Sequence, residues 1–218
     1  DKVEIAGNYL LELIDDILDM SRIENNKTTV ELIPANIYQF SNDMIEIIKQ
    51  RALEQNINFT TEFRAISDEN IYADVLHTNQ ILLNILSNAV KYTKPGGDVH
   101  FLIEQIDSGF SDSARFRFVI SDNGIGMSEE FVAHIFESFS REKNTTLSGI
   151  KGTGLGMAIT KKLIDLLEGS IDVDSKLGKG TTVSVELTYQ IIHETLEIED
   201  ENSSAINEIN LAGKRVLL

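Results

Sequence analysis

The chain has 218 residues and a formal net charge of -16, from 35 acidic against 19 basic residues, with 42% hydrophobic residues and no Cys. That apolar content supports a packed core, and no apolar run approaches the roughly 20 residues needed to cross a bilayer. The missing Cys excludes disulfide scaffolds, thiolate metal sites and cysteine nucleophiles; the acidic balance opposes broad nucleic-acid binding, so an anionic ligand needs a local patch of Lys, backbone N–H groups or metal.

The first predicted element is a helix from about Val3 to Glu24. Val3, Ala6, Leu10, Leu13, Ile17 and Met20 recur at steps of three and four, the pattern of a helix-bundle seam or of a core helix of the same domain. Leu11, Ile14 and Leu18 widen it beyond what a lone surface helix carries, and Asn25-Asn26 ends it because Asn tolerates the left-handed conformation. The body follows, from Lys27 to about His193. Thr28–Ile33 reads as a strand, Ile37–Asn56 as a helix, Ile57–Phe63 as a strand and Asp74–Tyr92 as a helix. Val99–Ile106 and Phe116–Ser121 read as strands, Glu129–Phe136 as a short helix and Leu155–Glu168 as a longer one. Ser170–Asp174 and Thr182–Tyr189 form a hairpin across Leu177-Gly-Lys-Gly180. Elements in this mixed order predict an α+β fold, a two-layer sandwich with helices on one face of a mixed sheet, rather than a doubly wound parallel sheet. Residues 194–210 read as an acidic linker, and 211–218 as an apolar run after a basic pair, like the start of a further domain.

On the helix at 74–92, Asn84, Asn88 and Lys91 fall at i, i+4 and i+7, so two amides and an ammonium share one face. Amide oxygens are hard donors suited to Mg2+, and an ammonium suits phosphate, although an ordinary polar helix face has the same pattern. Asp122-Asn-Gly-Ile-Gly-Met127 follows a strand. An Asp there can accept from a ligand amino group while Gly124 and Gly126 let backbone come close, or it simply closes an Asx turn. Gly149-Ile-Lys-Gly-Thr-Gly-Leu-Gly156 runs into a helix start, which offers N–H groups to phosphate; its spacing is neither a dinucleotide fingerprint nor a Walker A loop. Arg141–Ile150 is polar and reads as a lid, with Phe136 and Phe139 anchoring its start in the core. His77, His100, His134 and His193 are scattered and form no metal or catalytic cluster.

Taken together and in this order, the segments resemble the catalytic and ATP-binding domain of sensor histidine kinases, whose fold is shared with type II topoisomerase ATPases. Asn84-Ile-Leu-Ser-Asn-Ala-Val-Lys-Tyr-Thr93 looks like the N box, Asp122-Asn-Gly-Ile-Gly126 like the G1 box, Phe136-Glu-Ser-Phe139 like the F box and Gly152-Thr-Gly-Leu-Gly156 like the G2 box. Gly178-Lys-Gly-Thr-Thr-Val-Ser-Val-Glu-Leu187 is similar to the closing hairpin. Ile17-Leu-Asp-Met-Ser-Arg-Ile-Glu24 resembles the end of the second helix of the dimerisation and phosphoacceptor hairpin, giving a domain at 1–26 before the catalytic domain at 27–193. Gly213-Lys-Arg-Val-Leu-Leu218 resembles the start of a receiver domain, as in a hybrid kinase.

The resemblance implies ATP and Mg2+ as cofactors. Asn88 would ligate the metal with Asn84 beside it, Lys91 would pair with phosphate oxygens and Tyr92 would lie along the nucleotide. Asp122 would accept from the adenine amino group, with Gly124 in the same box, Gly126 giving adenine room and Thr181 supporting the pocket. Gly152, Gly154 and Gly156, with Thr153 and Leu155 between them, would hinge the lid and face phosphate, and Arg141 would add a phosphate contact. The implied partners are the chain's own dimerisation hairpin, in a homodimer, and a receiver domain or response regulator; the implied location is cytoplasmic, with any membrane anchor elsewhere in the parent. The acceptor His of that family is followed by an acidic residue and then a Pro, and neither Pro34 nor Pro95 lies downstream of a suitable His. The expectation is a donor site without its acceptor, unable to phosphorylate itself alone. Two other readings stand beside this one: a topoisomerase-type ATPase, which would need a Glu where Asn84 stands, and a degenerate nucleotide-binding scaffold that dimerises through the first helix.

Overall fold

Burial alternates along Ser113–Ser121: Ala114, Phe116, Phe118 and Ile120 are buried, while the residues between them are partly exposed. Only a strand with one face on a core and the other toward solvent reads this way. The computed structural model describes residues 2–25, 27–140 and 153–193. Among them run α1 (Lys2–Glu24), β1 (Ile33–Asn36), α2 (Ile37–Glu54), β2 (Asn58–Arg64), β3 (Asn70–Ala73) and α3 (Val75–Tyr92). There follow β4 (Asp98–Ile106), β5 (Ser113–Asp122), α4 (Glu129–Val132), α5 (Gly156–Leu166), β6 (Ser170–Lys176) and β7 (Gly180–Ile191). The lid at 141–150, with Arg141, the glycines at 149 and 152, the linker and the segment 211–218 lie outside the described residues.

The sheet has the order β1-β3-β7-β5-β4-β2, and β6 pairs with the first half of β7. The pair β2–β4 is parallel and the other pairs are antiparallel, so the sheet is mixed as expected. Three helices cover its apolar face: α2 through Phe40, Met44 and Ile48, α3 through Ile81, Leu82, Ile85 and Leu86, and α5 through Ile159, Leu163 and Ile164. These meet Phe101, Phe116 and Phe118 of the sheet, each fully buried. On the opposite face Arg117 lies between Glu104 and Glu186, at 3.0 and 2.8 Å, a cross-strand ion-pair row that keeps this face polar. No described helix is long and apolar enough to cross a membrane.

Two expectations are corrected. No strand covers residues 27–32; it lies later, at Ile33–Asn36. Its partner is the four-residue β3, missed in the sequence, which pairs with Ile33–Asn36 and nothing earlier. Pro34 is tolerated because β1 is an edge strand, and Glu31 N–H donates instead to Asp74 Oδ2 at 3.0 Å. The helix expected over Glu129–Phe136 shrinks to the single turn Glu129–Val132, capped by Ser128.

The apolar stripe of α1 is divided between two surfaces. Leu13, Met20 and Ile23 pack on the core, whereas Leu10, Leu11, Ile14, Ile17 and Leu18 are exposed. Polar ties fix the docked side, from Gln80 Nε2 to Asp19 at 2.9 Å and from Lys162 Nζ to Glu24 at 2.7 Å.

Two outcomes follow from this packing. Phe116→Ala removes a fully buried ring and is expected to lower unfolding stability by about 3–5 kcal/mol in urea titration. Asp74, buried at the start of α3, loses solvation, which alone would raise its pKa. The N–H groups of His77 and Glu31 and the His77 ring outweigh that loss, and its carboxyl is held below the ordinary range. A depressed native pKa contributes stability that is fully present above the unfolded-chain value and lost as pH falls through the native one. Acid titration of Asp74→Asn should therefore lack this share of the acid destabilisation.

Candidate functional site

A cavity of about 430 Å3 opens between α3, the loop after β5, the hairpin and the start of α5. Asn84, Asn88, Lys91, Tyr92, Asp122, Gly126, Thr153, Gly154, Gly156 and Thr181 all line it, so residues nearly a hundred positions apart share one space. Gly124 and Leu155 lie just behind the wall. Leu155 is buried and its N–H donates to Thr153 Oγ1 at 3.3 Å. Arg141 and Gly152 lie outside the described residues.

One end is built around Asp122. Its Oδ1 accepts from Gly124 N–H at 2.9 Å, and the Thr181 N–H also reaches the carboxylate. Burial raises its pKa and these two N–H groups pull the other way, leaving it above the ordinary aspartate value. The backbones here touch so closely that side chains cannot stand between them. A Cβ on Gly180, at φ 105°, would fall 1.9 Å from Asp122 O, and one on Gly126, at φ 61°, would fall 2.1 Å from Lys176 O. Gly126 thus opens space toward the hairpin backbone as well as the cavity. Ser175 Oγ, which sequence reasoning missed, ties the corner together: it accepts from Met127 N–H at 2.9 Å and lies 2.8 Å from Thr181 Oγ1.

The other end is built on α3 and α5. Asn84 Nδ2 donates to the buried Thr160 Oγ1 at 2.7 Å, and Asn84 Oδ1 rests against Gly156, where a Cβ would come within 2.5 Å. Lys91 Nζ lies 5.2 Å from the Tyr92 ring centroid, a cation–π distance at the rim. Asp16 of α1 also lines the cavity and accepts from Thr153 Oγ1 at 2.6 Å, and Arg51 and Gln55 at the end of α2 reach its edge. No local pattern marks those three; only the docking of α1 and α2 brings them here. The expected anchoring by Phe139 does not occur, since its ring is 62% exposed and Ile135 is buried instead. Its backbone, at φ 63°, makes the contact, lying against Gly154 where a Cβ would fall 2.9 Å from the Phe139 carbonyl carbon.

A family profile described as histidine kinase-, DNA gyrase B- and HSP90-like ATPase matches residues 73–191, more than half of the chain. The chain belongs to that ATPase family. Within it, the chain is a catalytic domain of the sensor histidine kinase kind. It is similar to the circadian input-output histidine kinase CikA of Synechococcus elongatus, with 33% identity over 88% of this chain and 25% of that protein. It is 35% identical to the autoinducer 2 sensor kinase/phosphatase LuxQ of Vibrio vulnificus over 85% of this chain and 22% of that protein. The crystal structure of full-length ShkA in complex with AMPPNP superposes with a TM-score of 0.74 at 30% identity, over 86% of this chain and 37% of that one. The chain therefore spans about a quarter of the curated relatives it matches.

Glycine at position 180 is expected to be irreplaceable: Gly180→Ala adds a Cβ against Asp122 O at a left-handed φ, and should cost more than about 1 kcal/mol in thermal or urea unfolding.

Proposed function

We propose that this chain binds Mg-ATP in the cavity and donates the γ-phosphoryl group to a histidine on a dimerisation hairpin, as the donor half of a two-component phosphorelay. The observation that carries the reading is the convergence in one cavity of a half-buried carboxylate, an Asn-Asn-Lys helix face and a glycine-rich helix start. Family membership supports ATP as the ligand.

Asp122 accepts from the adenine amino group, and its two N–H donors keep part of the carboxylate ionised despite burial. Tyr92 lies along the nucleotide, and Thr181 and Ser175 hold the corner under the base. The donor set fits a hard cation that keeps waters and phosphate oxygens. No group of three His, Cys, Asp or Glu is found among the described residues, and Asn84 and Asn88 offer amide oxygens. Thr160 takes the Asn84 Nδ2 and leaves the Asn84 Oδ1 against Gly156 at the cavity wall. Asn88 and Asn84 would hold Mg2+, which neutralises phosphate charge when bound. Lys91 stabilises phosphate oxygens, and Gly154 and Gly156 let the α5 start approach them. An acceptor imidazole nitrogen forms the new N–P bond as the bond from the γ-phosphorus to the bridging oxygen breaks, with ADP leaving and the ring proton released. Asn84 cannot act as a base for water, which favours transfer to histidine over rapid hydrolysis. The exposed face of α1, through Leu10, Ile14 and Ile17, is the side for a second hairpin helix and a homodimer; a receiver domain takes the phosphoryl group onward.

Calorimetric titration with AMPPNP, with and without Mg2+, should show saturable, Mg-sensitive binding. Asp122→Asn should weaken it about tenfold or more, the loss of a hydrogen bond to a charged acceptor. Adenine needs the ionised carboxylate, so affinity should be constant above the raised Asp122 pKa and fall as pH is lowered through it. A folded wild-type chain that binds no nucleotide would end the ATP reading. Binding without label transfer from ATP to a supplied His-bearing hairpin would end the kinase reading alone.

A further inference from the structure

Asp16 stands on α1, outside the segments that form the ATPase core, yet its side chain enters the nucleotide cavity. The contact is specific. Thr153 Oγ1 donates to Asp16 Oδ2 at 2.6 Å, and the same hydroxyl oxygen accepts from Leu155 N–H at 3.3 Å, one residue before α5 begins. Asp16 therefore belongs to the end of the cavity made by Thr153, Gly156 and Asn84, not to the end made by Asp122, Gly124 and Thr181. Helix α1 is held in place further along by Asp19 on Gln80 and Glu24 on Lys162, so the carboxylate is presented by a docked element and not by a mobile side chain alone. Burial pushes the Asp16 carboxyl up, the Thr153 hydroxyl opposes this, and the charged groups acting on it, Asp19 and Asp15, are acidic as well.

We propose that Asp16 is a specificity-determining residue of the nucleotide site: docked α1 holds a negative charge at the phosphate end of the cavity and selects against the more highly charged triphosphate. This rests on the reading of the cavity as an ATP site. The physics is a like-charge interaction in a partly desolvated space, where a carboxylate acts more strongly on phosphate than it would in water. A ligand that binds better when α1 is away from Thr153 must, by linkage, push α1 away by the same factor. A diphosphate leaves the latch more nearly intact. The position of the bundle helix and the charge of the bound nucleotide are then coupled through one hydrogen bond.

The test is titration of the 218-residue chain with AMPPNP and with ADP, both with Mg2+, in three forms. Asp16→Asn removes the charge but keeps an oxygen for Thr153. Asp15→Asn makes the same charge change at an exposed neighbour. Asp16→Asn is expected to bind AMPPNP about fivefold tighter or better than wild type and to gain about twofold or less for ADP, with Asp15→Asn within about twofold of wild type for both. Hydrogen exchange over Lys2–Glu24 should rise in wild type on adding AMPPNP, rise less with ADP, and lose that difference in Asp16→Asn. Equal gains for the two nucleotides, or gains matched by Asp15→Asn, would overturn the proposal. A loss of Mg-dependent affinity in Asp16→Asn would overturn it too, placing Asp16 on the metal side. Wild type that binds neither nucleotide ends the ATP reading itself, and this inference with it; wild type that binds both, with an unresponsive Asp16→Asn, ends this inference alone.

Discussion

Everything at the Asp122 end of the cavity depends on two backbones touching where a side chain cannot fit. The carbonyl of Asp122 lies against Gly180 and the loop at Gly126 lies against Lys176, so the end of β5 and the β6–β7 hairpin close onto each other. That closure brings the Thr181 N–H to the Asp122 carboxylate and places Gly124 to donate from the other side. A buried carboxylate without such donors would take up a proton and lose its value as an acceptor. Two glycines thus decide whether the end of a central strand becomes a binding corner. The same loop is tied to the end of α3, where Ile125 N–H donates to Tyr92 O at 3.2 Å, which sets the helix against the corner.

The second constraint is the pairing of α3 with α5. Asn84 is oriented by Thr160, and Gly156 leaves room for the Asn84 oxygen, so the polar face of one helix is fitted to the first turn of the other. Behind both, the aromatic sheet face of Phe101, Phe116 and Phe118 gives the helices a rigid floor. The cavity is the gap left where this packing stops, and its chemistry comes from residues whose opposite faces are spent on the core. Helix α1 joins by a different logic. Among its described side chains, Leu13, Met20 and Ile23 pack on the core, and Asp16, Asp19 and Glu24 add polar ties.

Most of the secondary structure was legible in the residues. Periodicity located α2 and α3, and the alternation in β5 and the Gly-Lys-Gly turn of the closing hairpin were local signals. The errors share one cause. Thr28–Ile33 has strand composition, but a strand needs a partner, and the four residues of β3 that provide one are too short to announce themselves. Phe139 looked like a core residue by type, and its left-handed backbone against Gly154 turned it into a surface one.

The amino-acid order by itself determined the residue types of the site and their local presentation: an Asn-Asn-Lys face at helical spacing, an Asp at a strand end and glycines before a helix. These are set by covalent geometry over a few residues, which is why they can be read directly. Only the tertiary structure decided that they face one cavity, that Asp122 is held by the hairpin, and that the apolar stripe of α1 splits into a docked and an open side. It also placed Asp16 on Thr153. Such contacts join positions far apart in the chain, and they exist only because burying the sheet and helix faces leaves no other arrangement for the backbone between them.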